Sequence, residues 1–226
     1  MISLLQATYK ELGLSGTLVH SFNQLMGALR IRQVAIRKYH ITRQAVTLSE
    51  AAAGKGQSIE VRELYRDDPL CLQLGRPAEV IQARFDQGGH CYAAFRKGQL
   101  AGYLWLNFGK YQEDEVRCTF VLSPFDKSAW DYDVYVFPPH RLSYTFPRLW
   151  EHANGVMAAR GVAASYSRIA YYNTASLGSH SKLGSRVIGS IYFLCVFGMQ
   201  LSWTGDFRPT FTFTADSRHF PEIHIA

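Results

Sequence analysis

The sequence predicts an α/β fold built on a large mixed sheet, preceded by a basic N-terminal extension. Three observations carry that expectation. Alternating apolar and polar runs recur from Ile59 to Thr214, as half-buried strands require. Two stretches between them, after Pro77 and after Arg141, carry the three- and four-residue apolar spacing of helices packed on a sheet. The 13 Tyr and 14 Phe fall mostly within the alternating runs, which suits strands better than helices.

With 226 residues, of which 47% are hydrophobic, the chain can bury one substantial core or a core plus an extension. A charged fraction of 19% argues against disorder. The formal net charge of +6 suits an anionic partner: CoA, an acidic carrier protein, anionic lipid or nucleic acid. It selects none of them. Cys71, Cys91, Cys118 and Cys195 form no CxxC pair, so buried free thiols are expected rather than a metal site or disulfide framework. Lys10 and Glu11 interrupt any signal-peptide pattern, and the uncharged stretch from Val187 to Gly205 reads as paired strands with a glycine bulge. A cytoplasmic location is expected.

Residues 1–57 are read as the extension and residues 58–226 as the main domain. Between Leu12 and Ser49 no acidic residue occurs, whereas Arg30, Arg32, Arg37, Lys38 and Arg43 do. A short helix, then extended or mixed structure, is expected, with residues 51–58 as linker. The basic stretch is either a docking face, for an acidic carrier or the surface of an anionic membrane, or an ordinary solvated surface. Ile59–Tyr65 alternates as a strand, Pro77 opens a helix that Gly88 ends, and His90–Arg96 and Gln99–Phe108 form a hairpin around Lys97-Gly98. Val116–Leu122 is a further strand. Asp131–Phe137 follows, then a proline-marked turn with Arg141, then a helix whose Phe146, Leu149, Trp150, Ala153, Val156 and Met157 form one stripe, closed by Gly161. Ala163–Asn173 alternates again, a short helix opened by Asn173 runs to Gly184, and Thr210–Thr214 supplies a last strand.

The order strand, proline turn with arginine, amphipathic helix, strand and Asn-capped helix, from Asp131 to Gly184, resembles the second half of the GNAT superfamily of acyl-CoA-dependent N-acyltransferases. Strand, helix and hairpin from Ile59 resemble its first half, so the resemblance covers about residues 58–215. It implies an enzyme that moves an acyl group from a pantetheine thioester, acyl-CoA or acyl carrier protein, to a primary amine of a small molecule. The family's R/Q-x-x-G-x-G/A signature aligns with Arg141-Leu142-Ser143-Tyr144-Thr145-Phe146. The arginine is kept, and two aromatics replace the small residues that admit phosphate to a helix N-terminus.

The resemblance implies donor contacts from the backbone of Val134, Val136 and Phe137, from Arg141, and from the hydroxyls of Ser143 and Thr145. Asn173 and Ser176 would touch the donor arm or serve only as a helix cap. Asp133 is the candidate base, ahead of Asp131, since a carboxylate within an aromatic strand is partly desolvated. His180, where the family often has a tyrosine, is the candidate acid for the leaving thiolate. No HExxH, Walker, GxSxG or dinucleotide fingerprint occurs, and no metal cofactor is expected. Nucleic-acid binding is not expected either. The alternative is a GNAT-like module that binds an acyl thioester, lipid or protein partner without turnover.

Overall fold

The computed structural model describes residues 2–48 and 54–226. Its elements, in chain order, begin with α1 (Ile2–Ala28), β1 (Val34–Ala45), β2 (Ile59–Leu64), α2 (Ala78–Asp86), β3 (His90–Arg96) and β4 (Gln99–Phe108). Then come β5 (Lys110–Gln112), β6 (Thr119–Leu122), β7 (Ser128–Val136), α3 (Thr145–Ala159), β8 (Ala164–Ala170) and α4 (Thr174–Lys182). The chain finishes with β9 (Arg186–Val196), β10 (Met199–Thr204), β11 (Phe211–Thr214) and β12 (Glu222–Ile225). The architecture is α/β with mixed strand pairing, as expected.

Two compact units are present. One comprises Gln44–Tyr111 and Leu122–Tyr166. Its strands lie in the order β2, β3, β4, β7 and the start of β8, antiparallel up to β7 and parallel between β7 and β8. The β3–β4 hairpin turns on Lys97 and Gly98, both with positive φ (52° and 76°), the two-residue turn whose twist matches its strands. Helix α3 packs on β2, β3 and β4, burying Leu149, Trp150, Ala153 and Met157 against a sheet face that contributes Leu104 and Leu106. Its first turn reaches the sheet because Gly102 stands beneath it. A Cβ there would lie 2.7 Å from Tyr135 O and 3.1 Å from Thr145 Cγ2. Gly102→Ala is expected to destabilise the chain by about 1–3 kcal/mol, read as a lower denaturant midpoint.

The other unit comprises Met1–Arg43, Gln112–Val121 and Ser167–Ala226. Its strands run β11, β10, β9, β1 and the end of β8, while β6 and β12 pair in a small second sheet. Phe197 and Gly198 make the β9–β10 turn with φ of 45° and 84°. The stretch from Val187 to Gly205 is therefore a strand hairpin, and the β1–β9 register shifts at Ile41/Thr42, beside Gly189.

The N-terminal segment departs from expectation. Helix α1 spans 27 residues, broken by a non-helical Gly13 with φ 68°. β1 pairs with β9 from Val34↔Val196 to Arg43↔Arg186, so these residues are built into a sheet. Alternation in β1 is obscured because the strand buries both Lys38 and Tyr39. The Lys38 ammonium donates to Ser15 Oγ at 2.8 Å and lies 5.6 Å from the Tyr192 ring. Of the expected linker, Ala51–Ala53 lie outside the described residues. The strand expected from Val116 starts only at Thr119, because Cys118 N–H turns back to Val116 O.

Candidate functional site

The end of β7 is shaped by a bulge. Tyr132 pairs with Trp105 and Tyr135 with Tyr103, which leaves Asp133 and Val134 opposite Leu104 alone. Asp133 takes φ 48°, a left-handed conformation that aspartate tolerates better than most residues. Two guanidiniums hold its carboxylate. Arg76 Nε donates to Oδ2 at 2.9 Å and Arg76 Nη2 to Oδ1 at 2.6 Å, while Arg84 Nη1 donates to Oδ2 at 2.6 Å. The Arg84 guanidinium itself lies 5.4 Å from the Trp105 ring and 5.1 Å from the Tyr132 ring.

This geometry corrects the expectation of a catalytic base. Arg76 and Arg84 occupy both oxygens of Asp133, and the side chain is only 9% exposed. It locks the bulge. Asp131, the second candidate, is buried and accepts a short hydrogen bond from Ser165 Oγ.

The backbone contacts expected around Val136 divide into two classes. Phe137 N–H donates to Ala101 O at 3.0 Å, so it is already used by β4. Alternation then turns Val136 N–H away from β4, toward the side where β7 pairs with β8. That pairing covers only Ser128–Trp130 against Ala164–Tyr166. Neither ladder uses the Val136 amide. Val134 lies within the bulge itself.

The turn that follows is tightly self-bonded. Arg141 is exposed, and its Nε donates to Val136 O at 3.3 Å. Its guanidinium lies 5.9 Å from the Tyr135 ring. Ser143 Oγ donates to His140 O at 2.6 Å and accepts the Thr145 N–H at 3.2 Å. Thr145 Oγ1 lies 2.7 Å from the same oxygen and is fully buried. The two hydroxyls expected to grip phosphate are thus engaged in bonds within the turn itself. Tyr144 stands where the signature has glycine, and packs against Gly56, where a Cβ would meet Tyr144 Cβ at 2.6 Å. Lys55 Nζ lies 5.8 Å from the Tyr144 ring. Sequence reading placed Lys55 in a linker and so missed a second cation at this turn.

In the other unit, Asn173 Oδ1 accepts the Ser176 N–H at 3.1 Å, so this pair caps α4. His180 lies inside the same helix, 4% exposed, and burial pushes its pKa down to about 4. It lines a cavity of about 460 Å³ with Thr42, Leu177, Ser185 and Val187. At neutral pH the ring is uncharged, so it holds no imidazolium proton to give a thiolate. Burial thus disfavours the imidazolium that the expected general acid would carry.

A polar centre in this unit went unnoticed in the sequence. Arg168 bonds Glu113 through Nε, and through Nη2 at 2.8 Å. Burial pushes the Glu113 carboxyl up while Arg168 pulls it back, and the two-point geometry is that of an ion pair. Glu115 Oε2 receives Arg168 Nη2 at 3.1 Å and the Tyr39 hydroxyl at 3.1 Å. Its side chain stays 40% exposed, on a cavity of about 220 Å³ shared with Asn23, Arg37, Tyr171 and Tyr172. A carboxylate ringed by tyrosines can hold a primary ammonium.

Among the described residues no group of three or more His, Cys, Asp or Glu side chains could hold a metal, and no helix is long and apolar enough to cross a membrane. No protein-family model matches the sequence, and no curated protein matches it. Solved structures do match. A conserved protein of unknown function from Staphylococcus epidermidis superposes with a TM-score of 0.52 over 75% of this chain, at 11% identity. A protein assigned to the GNAT family of acetyltransferases, from Novosphingobium aromaticivorans, superposes with a TM-score of 0.50 over 70% of this chain, at 18% identity. This chain spans 65% and 64% of those two chains, just under two thirds of each. At these identities the likeness is one of fold, and the fold of this chain is GNAT-like.

Proposed function

We propose that this chain is an N-acyltransferase that moves an acyl group from a pantetheine thioester to a primary amine of a small molecule. The observation that carries this reading is the Val136 amide, used by neither ladder and set beside the arginine turn that opens α3. An amide so placed can bond a pantetheine arm as an added strand would. It can equally stabilise the oxyanion formed when an amine attacks a thioester carbonyl. Arg141, Lys55 and the positive end of α3 supply the charge for a phosphate. In the reaction a C–N bond forms and the C–S bond breaks, while the ammonium loses a proton and the thiolate gains one. Asp133 and His180 take no part in those proton transfers.

Tyr144 narrows the phosphate turn, which favours a donor with less phosphate than CoA, such as acyl-phosphopantetheine on a carrier protein. A second reading, donor binding without turnover, is supported by the ion-paired Asp133 and the uncharged His180. Adding acyl carrier protein or acyl-CoA should raise Tm, and adding an amine should then release free thiol. Arg141→Ala should weaken donor binding about tenfold, the worth of one charge-assisted hydrogen bond. A protein that neither donor stabilises contradicts both readings; binding without thiol release selects the second.

A further inference from the structure

We propose that this chain forms a two-fold symmetric dimer by pairing β11 edge to edge with β11 of a second copy, Phe211 of each opposite Phe213 of the other. Among the described residues β11 is the outer strand of its sheet and pairs with β10 on one side only. The direction of its peptide groups follows from that pairing. Thr204 N–H donates to Thr210 O at 2.9 Å, and Ser202 faces Thr212 while Gln200 faces Thr214. Alternation therefore turns the N–H and C=O of Phe211 and Phe213 outward, away from β10.

The side chains reverse the usual distribution. Thr212 and Thr214 are buried, with Thr212 Oγ1 2.6 Å from Ser202 Oγ, whereas Phe211 and Phe213 are 64% and 59% exposed. Phe213 stands opposite Leu201, itself 36% exposed, and Phe211 opposite Trp203, so an apolar ribbon runs to the sheet edge. The strand carries neither proline nor charge, the usual devices that blunt such an edge.

A second copy is the occupant this edge fits. A strand added there must present outward peptide groups at two-residue spacing, with apolar side chains on one matching face. β11 meets both conditions itself. Rotated about an axis through Thr212, each Phe211–Phe213 pair exchanges two N–H···O bonds, and the rings join in one cluster. Registers shifted by two residues pair only one phenylalanine position with its like. No charge on the pairing residues repels a copy of a chain whose net charge is +6. The contact is short, which places it among small, reversible interfaces.

Sedimentation velocity over rising concentration should show a monomer–dimer equilibrium. Phe211→Lys with Phe213→Lys leaves the fold intact, because both side chains are exposed, and should raise the dimer dissociation constant tenfold or more. Thr212→Cys should give a disulfide-linked dimer on oxidation, since opposed residues at a non-hydrogen-bonded site lie about 4.5 Å apart. The unsubstituted chain in the same oxidant is the control. A wild-type chain that stays monomeric, association that survives the double lysine substitution, or a dimer that Thr212→Cys fails to link each overturns the proposal. So does growth into larger species, which a closed two-fold contact forbids.

Discussion

Replacing Arg84 by methionine is expected to destabilise the chain by about 3–5 kcal/mol, the usual consequence of stranding one member of a buried ion pair. The Arg84 side chain is 3% exposed and that of Asp133 9%, so water cannot take over the lost contact. Arg76, 39% exposed, remains as a partner but approaches from the solvent side. The Asp133 carboxylate holds its own backbone at φ 48°, so the bulge loosens with the pair. Asp133→Asn keeps the preference for that conformation and removes the charge. Urea unfolding of the two single variants and the double variant should therefore be non-additive, with the double variant more stable than the sum predicts. Additive losses under 1 kcal/mol would show the clamp to be ornamental. The same Asp133→Asn protein separates clamp from base. Any turnover it retains should keep the wild-type pH profile, whereas loss of a base would remove one limb of it.

Stability should fall as pH drops below the ordinary histidine range, and His180 should account for much of the fall. Its folded pKa of about 4 lies below the unfolded value near 6.5. Between those values the unfolded chain binds a proton that the folded chain refuses, so folding stability rises with pH across this window and is fully present above it. From pH 7 to pH 5 the loss from this one ring is about 2 kcal/mol. Burial also pushes the pKa values of His40 and His152 down, which adds to the slope in the same direction. His180→Gln should flatten the dependence measured by denaturant unfolding at the two pH values. An unchanged slope would mean that the buried ring is charged or reached by water.

Several elements were legible in the sequence because their signals are local. β7, α3, β8 and α4 each carry an apolar period bounded by a proline, a glycine or a capping asparagine. The N-terminal segment was less so. Gly13 interrupts the helix, and β1 buries both a lysine and a tyrosine, so no single period shows. Chemistry at the site depends on distant partners. Asp133 meets Arg84 across 49 residues and Arg76 across 57, and Glu113 meets Arg168 across 55, separations that no spacing pattern signals. Position in the chain suggested a base and an acid. What Asp133 and His180 do is set by the guanidiniums and the burial that the fold brings to them.

Acyl transfer as proposed requires the Val136 amide to be the group that meets a pantetheine donor. The most direct measurement is the amide ¹H–¹⁵N spectrum of the labelled protein, titrated with phosphopantetheine and with CoA. The predicted result is a large shift of the Val136 and Arg141 signals, with Phe137 nearly still because Ala101 O already holds its N–H. A still Val136 signal under saturating donor, or shifts confined to other strands, would contradict it.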